Sequence, residues 1–274
     1  MTNHKVVLVT GASSGIGQAV ARLFARKGYL VFGTSRNPSR IELTLNMEVL
    51  PLDVRSGDSV NACLEGVLNK SGRLDILINN AGYEFDGAVE EVSVEEAKAQ
   101  FETNFFGVIR MVKAALPTMR RQRSGHIINI SSLTGLVPVP FMGIYSASKF
   151  CVEGYTEVLR REVEPFNIRV SMVETGFTKT NLPGNRQYAA NRIGDYDQLR
   201  LRVFQAINRY EKNAPSSAPV ADCVLRIVES KSPELHYKVG REAKSVALLR
   251  RFLPEELFDM GMRDRFNLNT DKQK

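Results

Sequence analysis

Cysteine, histidine and tryptophan are scarce in this sequence, and their scarcity argues against several kinds of site. The three cysteines, Cys63, Cys151 and Cys223, lie far apart and form no CxxC pair. This spacing argues against a disulfide framework and against a zinc site, and it fits a reducing compartment. Nothing in the sequence pairs His126 with a nucleophile or a metal site, and we interpret it as a strand-edge residue. We therefore predict no metal site and a cytoplasmic protein.

The chain also lacks long apolar runs and blocks of basic residues. No stretch approaches the roughly 20 apolar residues that a membrane-spanning helix needs, and the N-terminus shows no secretory signal. The formal net charge of +7 is compatible with nucleic acid or an anionic membrane as a partner. However, the basic residues occur in short pairs, and aromatic residues do not alternate with them as in a nucleic-acid stacking groove. We predict a solvated basic surface and no nucleic-acid partner.

Apolar segments with strand character alternate with helical patterns along the 274 residues. Hydrophobic residues make up 43% and charged residues 24%, values typical of a globular protein. This alternation favours a parallel sheet with right-handed crossovers. We predict an α/β fold with one doubly wound, mostly parallel, seven-stranded sheet and helices on both faces, in a single catalytic domain over residues 1–274. The predicted strands are 5–9, 29–34, 47–52, 74–78, 126–130, 168–173 and 236–239.

A glycine-rich turn, TGASSGIG, follows the first strand and opens the first helix. Glycine lets the backbone approach a pyrophosphate, whose charge a helix N-terminus stabilises. The glycine spacing GxxxGxG differs from the general GxGxxG fingerprint. We predict a dinucleotide phosphate site in this turn, formed by Gly11, Ser13, Ser14, Gly15, Ile16 and Gly17.

The end of the second predicted strand bears on the choice of cofactor. An acidic side chain there would bond a ribose 2′-hydroxyl and repel a 2′-phosphate, but the sequence has Ser35, Arg36 and Asn37 instead. A guanidinium suits a phosphate dianion. Arg36 therefore favours NADP(H) over NAD(H), the alternative being that Arg36 is an ordinary surface residue.

A helical region from about residue 93 to 122 carries an asparagine in its interior. Ser93 and Glu96 form a capping-box signature at its start, and we expect Pro117 to kink or end the helix. Asn104 is unfavourable inside a helix, so we expect it to make a specific hydrogen bond.

A serine, a tyrosine and a lysine follow the fifth strand at spacings that would bring them together. Tyr145 and Lys149 are four positions apart and so share a helix face. Ser132 lies thirteen positions before Tyr145, at the carboxyl end of a strand, where α/β folds place their chemistry. A free phenol has a pKa of roughly 10, and we expect the lysine cation to lower it toward the working range. Short patterns of this kind also occur without function, so their meaning depends on whether the rest of the chain supplies a cofactor site.

Two segments in the last third of the chain differ from the regular pattern. Residues 177–214 are polar with weak helical periodicity, which is typical of a substrate loop or lid. Residues 241–274 form a C-terminal helical extension whose apolar face lies beside Lys244, Arg250 and Arg251. We expect this face to pack on the protein or to cover the substrate mouth, and an interfacial membrane helix is the alternative.

Together these motifs resemble the short-chain dehydrogenase/reductase family over most of the chain, from about residue 6 to 239. TGASSGIG matches the family's TGxxxGxG phosphate loop. The family's further motifs follow in order and at family-like separations as NNAG at 79–82, Asn104, Ser132 and YSASK at 145–149. The resemblance implies a Rossmann fold and hydride transfer between NADP(H) and a carbonyl or secondary alcohol.

The resemblance also implies a role for each matching residue. Tyr145 would be the general acid/base, and Ser132 would orient and polarise the substrate carbonyl. Lys149 would hold the nicotinamide ribose and depress the Tyr145 pKa, while Asn104 would anchor a water in a proton relay. Further cofactor contacts are expected at Ser13, Arg36, Asp53, Asn80, Ala81, Gly82, Gly176, Thr178 and Thr180.

Local segments of the chain are similar to those of the 17β-hydroxysteroid and retinol dehydrogenases, among them FGTSR and NFFGVIRM. This similarity implies a bulky apolar small-molecule substrate, with a wall formed by Val137, Phe141 and Met142. Thr175 and Gly176 depart from the family's usual Pro-Gly, which leaves the entry angle of the following loop open.

Family members commonly pair their two long helices, so the resemblance implies a homodimer or homotetramer. A non-catalytic NADP-binding sensor or scaffold of the same fold is the alternative function. Such a protein would be expected to have lost Tyr145 or Lys149, and this sequence retains both.

Overall fold

A computed structural model describes residues 4–41, 44–179 and 186–269 of the chain. The strands are Val6–Val9 (β1), Leu30–Ser35 (β2), Met47–Pro51 (β3), Ile76–Asn79 (β4), Glu84–Asp86 (β5), Gly125–Ser132 (β6), Ile168–Thr175 (β7), Arg186–Tyr188 (β8) and His236–Val239 (β9). The α-helices are Gly15–Arg26 (α1), Gly57–Ser71 (α2), Val94–Phe101 (α3), Gly107–Gln122 (α4), Gly143–Val163 (α5), Asp197–Lys212 (α6), Ala218–Glu229 (α7), Arg241–Phe252 (α8) and Glu255–Arg265 (α9).

The main sheet has seven strands in the order β3-β2-β1-β4-β6-β7-β9, and every pairing in it is parallel. All seven predicted strands are present, so the predicted doubly wound sheet is confirmed. The order reverses between β1 and β4, because the chain builds β2 and β3 on one side before returning to the other. Such a reversal opens a crevice at the carboxyl ends of the strands, where this fold class binds its ligands.

Helices cover both faces of the sheet, as predicted. On one face, α2, α4 and α5 bury a core that includes Leu77, Met111 and Ile127. On the other, α1 and α7 bury a core that includes Phe24 and Val224. The parallel strands are buried on both faces, which explains why they read as continuous apolar runs in the sequence.

The structure corrects two local expectations, the possible end of a helix at Pro117 and the place of His126. The fourth helix does not end at Pro117, because α4 continues through it to Gln122 and buries Thr118 and Met119. The helical run is interrupted earlier, by a single π-helical turn at Glu102–Phe106. His126 is not at the sheet edge: it lies in β6 between β4 and β7, and burial lowers its pKa to about 3.

The last third of the chain also supplies β8, α6, α8 and α9, which lie outside the main sheet. Strand β8 pairs in parallel with β5 to make a second, two-stranded sheet, and α6 follows it. The C-terminal helices α8 and α9 form a helical hairpin whose joint is at Leu253 and Pro254. Among the helices that the structure describes, none combines the length and the hydropathy needed to cross a membrane.

Candidate active site

The β1–α1 turn forms a cradle that only glycine can build. Gly11 and Gly15 have φ of +66° and +54°, in the left-handed region that favours glycine. A Cβ added to Gly17 would lie 2.3 Å from the carbonyl oxygen of Gly11 and 2.4 Å from Nδ2 of Asn80. That Nδ2 atom donates to the carbonyl oxygens of Thr10 at 2.9 Å and Gly11 at 3.1 Å. Asn80 therefore holds the turn in shape from the neighbouring strand end.

The N-terminus of α1 is available to an anion. Ser14 precedes the helix and makes no side-chain capping hydrogen bond within the part of the chain that the structure describes, and the first turn has no acidic residue. The first N–H groups of a helix lack internal partners, and the helix dipole adds positive potential there. Gly11, Ser13, Ser14, Gly15 and Ile16 all line one large cavity at this point, as do Asn80, Ala81 and Gly82. The residues present therefore fit a dinucleotide pyrophosphate, with Gly17 supporting the turn from behind.

Basic and acidic side chains meet beyond β2 and β3, at Arg36, Asp53 and Arg55, which are not among the residues that line this cavity. Arg36 is exposed, and its charge contributes to lowering the pKa of Asp53. The larger cause of that lowering is Arg55, whose Nη2 lies 2.6 Å from Oδ2 of Asp53. The sequence reading missed Arg55. The carboxylate of Asp53 is paired with Arg55, so it does not neutralise the charge of Arg36. The end of β2 is therefore positively charged.

Ser132 and Tyr145 line the same cavity on the other side of the cradle, as does Lys149. Ser132 ends β6, while Tyr145 and Lys149 lie one turn apart near the start of α5. Nζ of Lys149 donates to the carbonyl oxygen of Ile130 at 3.0 Å and lies 5.8 Å from the centroid of the Tyr145 ring. The structure thus brings together the three residues that the sequence reading selected.

The expectation that Lys149 lowers the Tyr145 pKa does not hold in the chain alone. Burial raises the pKa of the phenol, the carboxylate of Glu84 adds to the increase, and the hydroxyls of Ser132 and Thr134 oppose it. Burial likewise lowers the pKa of Lys149, to about 8. Desolvation disfavours the charged form of each group and is the largest cause of both shifts. The phenol is consequently protonated at neutral pH.

Asn104 ties the π-helical turn to α5. Its Nδ2 donates to the carbonyl oxygen of Tyr83 at 3.0 Å and to Oγ of Ser148 at 3.2 Å, and its Oδ1 accepts from the N–H of Tyr83 at 3.1 Å. Oγ of Ser148 donates in turn to the carbonyl oxygen of Tyr145 at 2.7 Å. Both amide protons of Asn104 are therefore used, and its position fixes the first turn of α5.

Apolar side chains complete the cavity, which has a volume of about 600 Å³. Val137 and Met142 line it as expected, together with Val139. Phe141 does not line it. Phe141 has a φ of +63°, and its ring lies 6.0 Å from that of Phe204 in α6. The C-terminal part of the chain supplies further apolar lining from Val246, Met262 and Phe266.

The entrance to the loop after β7 also lines the cavity. The N–H of Gly176 donates to the carbonyl oxygen of Val239 at 3.0 Å, so β9 fixes the loop despite the absent proline. Oγ1 of Thr178 donates to the carbonyl oxygen of Gly176 at 3.1 Å, and both residues line the cavity. Thr180, which the resemblance assigns to the cofactor, lies outside the described residues.

Arg186 in β8 joins three carboxylates at the rim of the cavity, a feature that the sequence reading missed. It lies 3.0 Å from Glu84 and 3.1 Å from Asp86, and it also pairs with Glu211 of α6. Burial raises the pKa of Asp86 to about 7, while the Arg186 charge opposes the increase. These residues come from three distant segments, so no local pattern announces the network.

A second unpredicted cluster lies one turn beyond Lys149 on α5. Glu153 is buried there beside Glu174 of β7 and His236 of β9. Nδ1 of His236 lies 2.6 Å from Oε1 of Glu174, and Nζ of Lys238 lies 3.3 Å from its Oε2. Burial raises the pKa of Glu153 to about 7. A spacing of four residues after Lys149 was the one available signal.

Solved neighbours of this fold hold either form of nicotinamide cofactor. ElxO, with NADP bound, is 26% identical to this chain, with a TM-score of 0.74 over 88% of this chain and 99% of that one. A protein from Burkholderia phymatum in complex with NAD is 24% identical with a TM-score of 0.80 over 94% of this chain and 95% of its own, a likeness that shows the fold alone. The fold of this chain is therefore shared by proteins that hold NADP and by proteins that hold NAD.

Comparison with known proteins places the chain in a family. The profile of the short chain dehydrogenases matches residues 5–190. A 3-ketodihydrosphingosine reductase of Bacteroides thetaiotaomicron is 40% identical over 262 residues, covering 94% of this chain and 97% of that protein. Retinol dehydrogenase 8 of Bos taurus is 33% identical over 270 residues, covering 91% and 86%. A short-chain dehydrogenase from Streptomyces avermitilis has a TM-score of 0.84 at 30% identity over 98% of this chain and all of its own. The chain belongs to the short-chain dehydrogenase/reductase family of oxidoreductases.

Proposed function

We propose that the protein is an NADP(H)-dependent oxidoreductase that transfers a hydride between the nicotinamide and a carbonyl or secondary alcohol of a bulky apolar substrate. One observation carries the proposal. A buried tyrosine, a strand-end serine and a buried lysine open into one cavity that continues from a phosphate cradle to an apolar wall. Hydride chemistry belongs to the bound cofactor, and the protein supplies position and proton transfer.

Tyr145 is the proton donor in the reduction direction. Burial keeps its phenol protonated, so the proton is available when negative charge develops on the carbonyl oxygen. The Ser132 hydroxyl donates to the same oxygen and polarises the carbonyl. The carbonyl oxygen of Ile130 holds the side chain of Lys149, and the charged ammonium of Lys149 stabilises the phenolate that Tyr145 becomes after it gives up its proton.

The choice of NADP(H) rests on charge at the end of β2. Arg36 is exposed there, and Asp53 is held by Arg55 and does not face a 2′-phosphate unpaired. A guanidinium binds a phosphate dianion through paired hydrogen bonds. NADPH, where it is the bound form, favours reduction of the carbonyl over oxidation of the alcohol.

The apolar wall indicates the substrate class. Val137, Val139 and Met142 line the cavity together with Val246 and Met262, so a long or bulky hydrocarbon would meet an apolar lining there. The relative from Bacteroides thetaiotaomicron is a reductase of a long-chain ketone, and the one from Bos taurus is named for retinol. We assign to this chain a ketone that carries a long apolar chain, and residues 177–214 act as its lid.

We also assign the protein to the cytoplasm and to a homodimer or homotetramer. The three cysteines are free, which suits a reducing compartment. Phe106 at the N-terminal boundary of α4, and Phe150 and Val158 on α5, are exposed large apolar side chains of the kind that a subunit interface covers. Light scattering of the purified protein measures the mass, and a monomer would contradict the assembly.

The substitution Tyr145→Phe tests the chemistry. We expect turnover of a long-chain ketone with NADPH to fall by a factor on the order of 10²–10⁴, which is the usual share of a general acid. NADPH affinity should stay within about twofold, because the phenol is not part of the phosphate cradle. Tyr155→Phe, on the same helix but in the core beside Phe105, is the matched control and should retain activity. Substantial turnover by Tyr145→Phe would overturn the assignment.

The substitution Arg36→Ala tests the cofactor. Loss of a charge-assisted phosphate contact should weaken NADPH by roughly tenfold or more and leave NADH nearly unchanged. Arg26→Ala removes an equal charge from the exposed end of α1 and should leave both affinities unchanged. Equal weakening of NADPH and NADH by Arg36→Ala would refute a 2′-phosphate contact.

A further inference from the structure

The C-terminal hairpin exposes a concentration of large apolar side chains. Among the described residues fourteen large hydrophobic side chains are exposed, and six of them fall within residues 248–260. We call these six the apolar apex: Leu248, Leu249, Phe252, Leu253, Leu257 and Met260. Scattered exposed apolar residues are normal on a protein surface, but a contiguous group marks a contact surface.

Each helix of the hairpin is held by one face and presents the other to solvent. Ala243 and Val246 on α8 and Phe258 on α9 are buried against Leu133 and Val137. On α8 the apex residues recur three and four positions apart, so they share a helix face. On α9 the apex residues Leu257 and Met260 are three positions apart. The inner face therefore anchors the hairpin, and the apex projects from it.

The apex lies on the same two helices that line the cavity. Val246 of α8 and Met262 of α9 line it, and Phe266 follows directly after α9. Whatever covers the apex is therefore adjacent to the apolar end of the cavity. An aqueous route to that end would expose a long hydrocarbon to water, whereas a route through an apolar phase would not.

The charges around the apex distinguish its two sides. Helix α8 exposes Arg241, Lys244, Arg250 and Arg251. Helix α9 begins with Glu255 and Glu256, and its Asp259 accepts from Nε of Arg263 at 2.9 Å. The guanidinium of Arg251 lies 5.6 Å from the ring centroid of Phe252, so cation and apolar ring are presented together. Basic residues beside an apolar helix face are typical of a helix that lies in a membrane interface.

We propose that the apolar apex docks the protein on the surface of a lipid bilayer, with α8 lying in the interface and its basic side toward anionic headgroups. Contact with the bilayer would cover the apex and bring the two helices that line the apolar end of the cavity to the lipid surface. Its use in substrate delivery rests on the proposed long-chain ketone, whereas docking itself does not. Burial of the apex side chains supplies most of the affinity, and the basic side of α8 adds a preference for anionic lipid.

Flotation of the full-length protein with vesicles tests the docking. The vesicles are phosphatidylcholine with or without phosphatidylglycerol, and no substrate or cofactor is present. The double variant Leu249→Ser with Phe252→Ser should reduce the bound fraction at least about tenfold. The control variant Leu45→Ser with Val94→Ser changes two other exposed apolar residues, 85% and 62% exposed, and should float like the unmodified protein. Equal thermal unfolding midpoints establish that both variants are folded.

Three outcomes would overturn the proposal. The first is an unmodified protein that does not float with either vesicle, and the second is equal flotation of both double variants. The third is a mass by light scattering that falls from dimer to monomer in the apex variant without vesicle binding, which would assign the apex to a second copy of the chain.

Activity measurements separate this proposal from the proposed function. If both hold, the apex variant should reduce a short water-soluble ketone at the unmodified rate but lose at least about tenfold on a long-chain ketone embedded in vesicles. If the protein floats but reduces neither ketone, docking stands and the proposed function fails. If the apex variant reduces the embedded ketone as fast as the unmodified protein, substrate delivery through the apex is refuted.

Discussion

Gly17 offers the sharpest test of the phosphate cradle, because one methyl group can be compared at two helical glycines. Gly17 lies in the first turn of α1, and its added Cβ would contact the carbonyl oxygen of Gly11 at 2.3 Å. Relief to 3.0 Å, the lower limit of real Cβ contacts, requires a movement of at least about 0.7 Å. The turn and Asn80 are the groups that must move, and both line the cavity.

The control is Gly154 in the exposed middle of α5, where an added Cβ meets nothing within 4 Å. Replacing a helical glycine by alanine stabilises by roughly 0.5–1 kcal/mol. Gly154→Ala should therefore raise the free energy of unfolding by that amount. Gly17→Ala receives the same benefit but bears an overpacking cost of about 1–3 kcal/mol, so we expect a net loss of up to about 2.5 kcal/mol.

The functional effect of Gly17→Ala should exceed the stability effect. A displacement approaching 1 Å in a binding constellation costs on the order of tenfold to a hundredfold, so NADPH affinity should fall by that factor. Urea unfolding gives the stability of both variants, and fluorescence titration gives their NADPH affinity. Gly17→Ala binding NADPH as tightly as Gly154→Ala would refute the cradle as described.

Two further predictions concern buried polar groups. The pKa of Glu153 is raised to about 7 from an ordinary 4.5, so between these pH values the folded protein binds the proton that the unfolded chain releases, and stability falls as pH rises. Glu153→Gln should remove this decline, so its stability relative to the unmodified protein should rise by about 3 kcal/mol between pH 4.5 and pH 8, and a constant difference in urea unfolding would contradict the raised pKa. Asn129 accepts from Asn79 at 2.9 Å and donates to Thr156 at 2.8 Å, whose hydroxyl also donates to the carbonyl oxygen of Val152 at 2.6 Å. Asn129→Leu therefore removes the acceptor of the buried Asn79 amide and should cost about 1–3 kcal/mol in urea unfolding. An Asn129→Leu protein of unchanged stability would show that this chain of bonds contributes nothing net.

The main sheet was predictable because each of its strands has a recognisable pattern in its own local sequence. Strand β1, for example, consists of four buried apolar residues, and this apolar segment can be recognised in the sequence without knowing what packs around it. The second sheet was not predictable. Strands β5 and β8 have three residues each, with the sequences EFD and RQY, and they pair across about a hundred positions of chain. Arg186 with its carboxylates follows from that pairing, so it was equally hidden.

The sequence predicted which residues form the site, but it did not predict their pKa values. Spacing placed Tyr145 and Lys149 on one helix face, and the structure brings them together with Ser132. Spacing could not reveal that both side chains are desolvated, and burial is what sets their pKa values in the chain alone. The prediction that Phe141 lines the cavity was wrong for a different reason. A single left-handed residue reverses the direction of its side chain, and an apolar loop gives no warning of that.

The C-terminal hairpin shows why hydrophobic periodicity left two readings open. The residues of α8 include two apolar sets, an inner one with Ala243 and Val246 and an outer one with Leu249 and Phe252. Periodicity detects that a helix is apolar, but it cannot decide which of two apolar faces the protein covers. The structure settles the inner face, which packs over Leu133 at the cavity, so the expected covering of the substrate mouth accounts for only half of the helix. The outer face of α8 is exposed. This exposure is the physical reason for expecting an apolar partner outside the protein to cover it.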